Sequence, residues 1–241
     1  MAVRAHVIGC CGCDNEGLPA TVSLQDNIDR VRERILSACA RSGRRTESVT
    51  LIAVTKVFPA SAIGDAYALG LRDFGENYVQ EFEGKFPVVS GLAGARFHLI
   101  GHLQSNKSRK AADLFGIIQT VDSTKLARRL QEAGKMLEVM IEVKLSEEDA
   151  KHGADPGSLA ELVEAIRACS NLRLTGLMTM PPWSENAEES RPYFARLREL
   201  AAQHQVACLS MGMSHDLEVA IEEGATHVRV GTALFGKRQR V

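Results

Sequence analysis

Lys56 has the strongest chemical potential in the chain. It closes the run Val49-Thr50-Leu51-Ile52-Ala53-Val54-Thr55, just ahead of a turn marked by Pro59. A short, β-branched apolar run reads as a fully buried parallel strand. A lysine at its carboxyl end either snorkels to the rim or is pushed toward the neutral amine by burial. A neutral amine can form an imine with an aldehyde. Two stretches near the other end of the chain could hold an anion. They are Ser210-Met211-Gly212-Met213-Ser214 and Gly231-Thr232, whose small residues let backbone N–H groups come close.

An amine facing an anion cradle suits an aldehyde that carries a phosphate. Two ligands fit: a sugar phosphate in a Schiff-base aldolase, or pyridoxal 5'-phosphate. Arg229 bears on the choice. In Val228-Arg229-Val230 the alternation points the guanidinium away from the face of the two valines. A buried cation needs a partner, either a carboxylate or the pyridine nitrogen of such a cofactor. A permanently charged arginine would keep that nitrogen unprotonated and the ring a weaker electron sink. His98 reads as a satisfied core histidine rather than a catalyst. Gln104, Asn106 and Lys107 read as residues that cap and solvate the next helix. Glu76 and Tyr78 read as rim residues with structural roles.

These residues need a scaffold that brings strand ends together. Leu24, Ile28, Val31, Ile35, Leu36 and Cys39 recur at a helical period, with a Ser23 cap and a Gly43 stop. Eight short apolar runs follow: 49–55, 72–76, 96–101, 116–121, 137–143, 172–178, 206–209 and 227–231. Each of the first seven precedes an amphipathic helical stretch, and 181–186 is a polar loop. Alternating β/α units of this number suit a single (β/α)8 barrel with an extra N-terminal helix, or a doubly wound open sheet. The barrel is favoured, because Lys56, Asn77, His98, Met178, Ser210 and Arg229 all fall near strand ends. In a barrel those ends share one face, and phosphate commonly sits on the loops after strands seven and eight.

Composition narrows the partners. The chain has 241 residues, 45% hydrophobic and 24% charged, with a net charge of -1. Nothing in it suggests a nucleic-acid or anionic-membrane footprint, and no apolar stretch reaches the roughly 18 residues that span a bilayer. Six scattered cysteines argue for a reducing cytoplasm rather than a disulfide scaffold. Cys10-Cys11-Gly12-Cys13 lacks a second ligand group, so no metal is expected. Val7-Ile8-Gly9-Cys10 looks like a lipoprotein cleavage box, but the apolar region before it is too short for a signal peptide. Residues 1–22 read as a disordered extension and 23–241 as the barrel.

The residues together resemble the YggS/PROSC family, the pyridoxal phosphate homeostasis proteins. The matching segments are Ala53-Val54-Thr55-Lys56, Gly75-Glu76-Asn77-Tyr78-Val79-Gln80-Glu81 and Phe97-His98-Leu99-Ile100-Gly101-His102-Leu103-Gln104-Ser105-Asn106-Lys107. To these are added Lys151-His152-Gly153, Gly176-Leu177-Met178, Leu209 to Ser214, and Val228 to Thr232 with Phe235-Gly236. The resemblance implies a barrel like the amino-terminal domain of alanine racemase, with pyridoxal 5'-phosphate joined to Lys56. It implies Ser210, Ser214, Gly231 and Thr232 at the phosphate, Arg229 at the pyridine nitrogen, and Asn77 and Met178 near the ring. Lys144 and Leu99 depart from the family's usual asparagine and phenylalanine.

Three functions remain open at this point: a non-enzymatic carrier that buffers the cofactor, a racemase-like enzyme using the same Schiff base, and a Schiff-base aldolase. A two-base racemase needs a second acid/base group on the opposite face. The chain has only Tyr67, Tyr78 and Tyr193, of which Tyr67 and Tyr193 fall on helices, and no second domain is expected after Val241. The carrier is therefore favoured, as a monomer whose recipients would be apo-forms of enzymes that use the cofactor.

Overall fold

The computed structural model describes residues 22–146 and 152–236. The expectations for 1–21, including Cys10, Cys11 and Cys13, and for Lys151 lie outside them.

The chain opens with α1 (Leu24–Arg41), whose start is a reciprocal capping box. The Asp26 backbone N–H donates to Ser23 Oγ, and Ser23 donates back to the Asp26 carboxylate. Eight strands then alternate with helices. They are β1 (Thr50–Val54), β2 (Asp73–Glu76), β3 (Arg96–Leu99), β4 (Ile117–Val121), β5 (Leu137–Glu142), β6 (Leu172–Met178), β7 (Cys208–Met213) and β8 (His227–Val230). The helices between and after them are α2 (Ala60–Ala68), α3 (Val79–Val89), α4 (Ser108–Leu114), α5 (Thr124–Glu132), α6 (Leu159–Arg167), α7 (Arg191–Gln203), α8 (Leu217–Glu222) and α9 (Thr232–Phe235).

Every strand pairs in parallel with its sequence neighbours, and β8 returns to β1 through Ile52 opposite Arg229 and Ala53 opposite Val230. The sheet is a closed eight-stranded barrel, which settles the choice against an open sheet. Alternation decides what faces inward. Val228 and Val230 join the apolar layer between sheet and helices, while Arg229 is buried on the other side. The expectation drawn from their spacing holds.

Two elements differ from the sequence reading. The seventh strand was expected at 206–209 with a loop after it, but β7 runs on to Met213. Its register against β8 slips between Ser210 and Met213, at Gly212, whose φ of 88° suits glycine. A side chain at Gly212 would also collide with Ala220 of α8. The final turn, α9, was not foreseen, because four residues carry too little periodicity to read.

The barrel interior is unusually polar. The Arg229 guanidinium donates to Ser210 Oγ at 2.7 Å, and Ser210 donates to Gln119 Oε1 at 2.6 Å. The Gln119 amide meets His98 Nδ1 at 3.0 Å, and His98 Nε2 meets Asp73 Oδ1 at 2.9 Å. The bond from Gln119 on β4 to Ser210 on β7 joins strands that are not neighbours, so this chain crosses the interior. With the Gln119 amide donating, His98 carries its proton on Nε2 and gives it to Asp73. Burial alone would raise the Asp73 carboxyl, but hydrogen bonds from His98 and Arg96 outweigh it and hold it below the usual carboxylate range. His98 is fully buried with both nitrogens engaged, as a core histidine should be. Glu76, expected at the rim, is instead fully buried, and its partners are described below.

Candidate functional site

The carboxyl ends of β1, β2, β6, β7 and β8 open on a cavity of about 660 Å³. Lys56, Asn77, Ser214, Arg229, Gly231 and Thr232 all line it. Six of the eight residues singled out in the sequence therefore meet at one mouth, although the first and last, Lys56 and Thr232, are 176 positions apart. Met178 and Ser210 do not line the cavity. Both are fully buried in their strands beneath it, and the Ser210 hydroxyl is engaged by Arg229 and Gln119.

Each position has a local cause. Lys56 lies just past β1 and is half-buried. It sits in a turn closed by the Phe58 N–H donating to the Thr55 carbonyl at 3.1 Å. Val57 occupies the turn position that wants a left-handed residue, with φ of 64°. For a β-branched side chain that is a strained conformation. Asn77 follows β2, and Gly101 packs directly on its backbone. Any side chain at Gly101 would collide with the Asn77 carbonyl oxygen, so the glycine permits this approach. The Asn77 side-chain oxygen is buried with no hydrogen-bond partner. An orphaned acceptor at a cavity wall is an unmet demand that a bound group could answer.

The anion-cradle stretches are adjacent. The Ala233 N–H donates to Ser214 Oγ at 3.3 Å, joining the loop after β7 to the start of α9. Asp216, which the sequence reading missed, organises that loop. It accepts the Met213 N–H at 2.7 Å and the Ser190 hydroxyl at 3.0 Å. Its position at the head of the α8 pattern was the available signal. Met180, Phe58 and Trp183 add apolar lining.

Arg229 is buried, and its second guanidinium nitrogen donates to the Thr179 carbonyl at 2.9 Å. Burial lowers its pKa to about 10, against the pull of Asp216 and Glu142, so it is a cation throughout the neutral range. None of its hydrogen-bond partners is a carboxylate. Glu142 ends β5 beside a second, smaller cavity of about 140 Å³ that also touches His102, Lys144, Ser146 and His152. The rings of His102 and His152 stack there at 3.7 Å. Burial raises the Glu142 carboxyl to about 7, with Arg229 pulling it down and Asp122 pushing it up.

The family model for the alanine racemase N-terminal domain matches residues 23–239. A pyridoxal phosphate homeostasis protein of Pseudomonas aeruginosa is 47% identical over 223 residues, covering 90% of this chain and 96% of the relative. Its Escherichia coli K12 counterpart is 42% identical, covering 88% and 95%. This chain belongs to that family. Among solved structures, PipY of Synechococcus elongatus with pyridoxal phosphate bound superposes with a TM-score of 0.75 at 41% identity, over 86% of this chain and 100% of PipY. An alanine racemase from Corynebacterium glutamicum, at 18% identity and a TM-score of 0.65, shares the fold. In this chain the Lys56 turn, the orphaned Asn77 oxygen and the Ser214–Ala233 junction lie on one rim of that barrel.

Proposed function

We propose that this chain binds pyridoxal 5'-phosphate across the barrel mouth and serves its homeostasis, holding the cofactor without efficient catalysis of its own. The observation that carries the reading is the convergence of Lys56, Asn77, Ser214, Arg229, Gly231 and Thr232 on one cavity. The cofactor would supply an aldehyde for a Schiff base with the Lys56 amine. The Ser214 hydroxyl and the backbone N–H groups of Gly231 and Thr232 would hold its phosphate. Arg229, a fixed cation, would serve as donor to the pyridine nitrogen. Asn77 lies beside the ring, where its unpartnered oxygen can meet a donor. Met178 and Ser210 act from below, one as apolar floor and the other by fixing the Arg229 fork.

The carrier reading is favoured over a racemase by the lining itself. No tyrosine is among the residues that line the cavity, and Tyr67 and Tyr193 sit on the outer helices α2 and α7. The setting we infer is the cytoplasm, with the chain acting as a monomer and passing cofactor to apo-forms of enzymes that use it.

The test is the absorption spectrum of the protein with pyridoxal 5'-phosphate, before and after borohydride, followed by peptide mapping. Lys56 is the expected site of reductive attachment, and Lys56→Ala should abolish the bound chromophore. A wild-type protein that stays colourless and unmodified overturns the reading. Turnover of D- or L-amino acids well above that of free cofactor overturns the carrier assignment alone.

A further inference from the structure

The backbone on both sides of Lys56 is gripped by a buried charge cluster that takes no part in lining the cavity. Lys85 on α3 is buried, and its ammonium donates to two oxygens and pairs ionically with a third. These are the Thr55 carbonyl at 2.9 Å, Glu76 Oε1 at 2.8 Å and Glu81 Oε1 at 2.6 Å. Thr55 also donates its hydroxyl to Glu76 Oε1 at 2.7 Å. Glu81 Oε1 in turn accepts the Val57 N–H at 2.6 Å. The residues before and after Lys56 are therefore both tied to α3. The tie falls at Val57, whose left-handed φ of 64° a valine does not adopt by preference. Strain of this kind persists only when its surroundings over-determine it, and the carboxylate on the Val57 N–H does so here.

We propose that Glu81, supported by Lys85 and Glu76, is a positioning residue that holds the Thr55–Phe58 turn in its strained form and so aims Lys56 into the cavity. The proposal rests on the assignment of Lys56 as the residue that takes the aldehyde. It assigns Glu81 no contact with the cofactor. Its effect passes through the main chain and falls on the covalent step, in which a C=N bond forms to Nζ and the aldehyde oxygen leaves as water. Phosphate and ring contacts come from residues at or just after the ends of β2, β7 and β8 that Glu81 does not touch, and they are left in place.

Glu81→Ala isolates the claim, because Lys85 keeps Glu76 and the Thr55 carbonyl. Two measurements are compared on the full chain: the equilibrium constant for covalent attachment of pyridoxal 5'-phosphate, read by absorbance and borohydride trapping at Lys56, and the affinity for pyridoxine 5'-phosphate, whose alcohol cannot form the imine. Losing a charge-assisted hydrogen bond should lower the first about tenfold and leave the second within about twofold. Glu81→Gln keeps an oxygen for the Val57 N–H and should lose about threefold or less. Adding Val57→Gly to Glu81→Ala should restore most of the attachment, since glycine takes the left-handed conformation without a clamp.

Equal loss in both measurements, no loss in either, or a loss in Glu81→Gln as deep as in Glu81→Ala overturns the proposal. So does failure of Val57→Gly to recover any of it. If wild-type Lys56 is not trapped at all, the cofactor assignment itself falls, a result that is distinct from trapping that ignores Glu81.

Discussion

Glu76 and Glu142 occupy the same place in the barrel and meet opposite fates. Each is the last residue of its strand, β2 and β5, and their exposures are 0% and 3%. Glu76 Oε1 accepts from Lys85 and from the Thr55 hydroxyl. One oxygen of each carboxylate, Glu76 Oε2 and Glu142 Oε2, is buried without a hydrogen-bond partner, and among the described residues Glu142 has no ion pair, while it borders the small cavity that Lys144 also lines. Burial raises both carboxyls, but at Glu76 the Lys85 ammonium offsets part of that rise through a hydrogen bond, whereas at Glu142 the relief is the charge of Arg229 without a hydrogen bond. A buried carboxylate is tolerable when its partners are supplied and costly when they are not. The demand of the buried charge is thus met in part at Glu76, by Lys85 and Thr55, and is largely unmet at Glu142.

The comparison is broken most severely by Lys85→Met. That change strips Glu76 and Glu81 of their shared cation and leaves the buried Glu76 carboxylate with only the Thr55 hydroxyl. A loss of about 3–5 kcal/mol of unfolding free energy is expected, measured by urea denaturation. A loss below about 1 kcal/mol would mean that the cluster contributes little to the fold.

Glu142→Gln should act in the other direction, with a sign that depends on pH. The Glu142 carboxyl rises from 4.5 in the unfolded chain to about 7 in the folded one. Between those values the folded protein holds a proton that the unfolded one has released, so stability falls as pH rises from about 4.5 to 7. Glutamine mimics the protonated acid and removes that fall. The variant should match wild type near pH 4 and exceed it by up to about 3 kcal/mol at pH 8. His227 gives the opposite slope, because burial lowers its pKa from 6.5 to about 4 and stability is lost as pH drops through that window. In the variant the His227 slope should stand out, with stability climbing from pH 4 to about 6.5 and then levelling. A variant whose pH profile coincides with that of wild type would show that Glu142 is ionised at little cost.

Much of this architecture was legible in the sequence, and the boundary of legibility is physical. The strands announced themselves because interior runs such as Val49–Thr55 are apolar and β-branched, and α1 because its apolar residues keep a period of 3.6. The convergence on the mouth followed from chain order alone, since every strand of a parallel barrel delivers its carboxyl end to one face. What could not be read were contacts set by distance across the barrel. Glu76 looked like a rim residue because nothing local marks Lys85 as its partner, nine positions on. Ser210 looked like a loop because Ser-Met-Gly-Met lacks a strand's composition, yet the Arg229–Ser210–Gln119 chain seals it inside. The Val57 turn was invisible for a simpler reason: the usual sign of a left-handed position is glycine, and here tertiary contacts impose it on valine.

Ser210→Ala tests the satisfied interior at a neutral site. The change leaves Gln119 Oε1 and one Arg229 N–H without their Ser210 partner, both inside the barrel. A loss of about 1–3 kcal/mol is expected by thermal or urea denaturation. The freed Arg229 fork should also shift the absorption maximum of the bound cofactor, if that fork meets the pyridine nitrogen. Unchanged stability would indicate that water replaces the hydroxyl.

The smallest effect belongs to Val57→Gly, and it sharpens the contrast between stability and aim. Val57 is 54% exposed, so trimming its side chain removes little buried apolar surface. Its left-handed backbone costs on the order of 1–3 kcal/mol for an ordinary residue and nothing for glycine. Against this gain stands the greater freedom of glycine in the unfolded chain, about 0.4–1 kcal/mol. The net expectation is stabilisation of about 0.5–1 kcal/mol, visible as a higher urea midpoint at unchanged slope. In the presence of an intact Glu81 the turn is already held, so attachment at Lys56 should change by less than about twofold, the factor that Glu81→Ala is expected to exceed. A destabilised variant would show that the turn is relaxed with valine in place, and that the grip on Val57 opposes no strain.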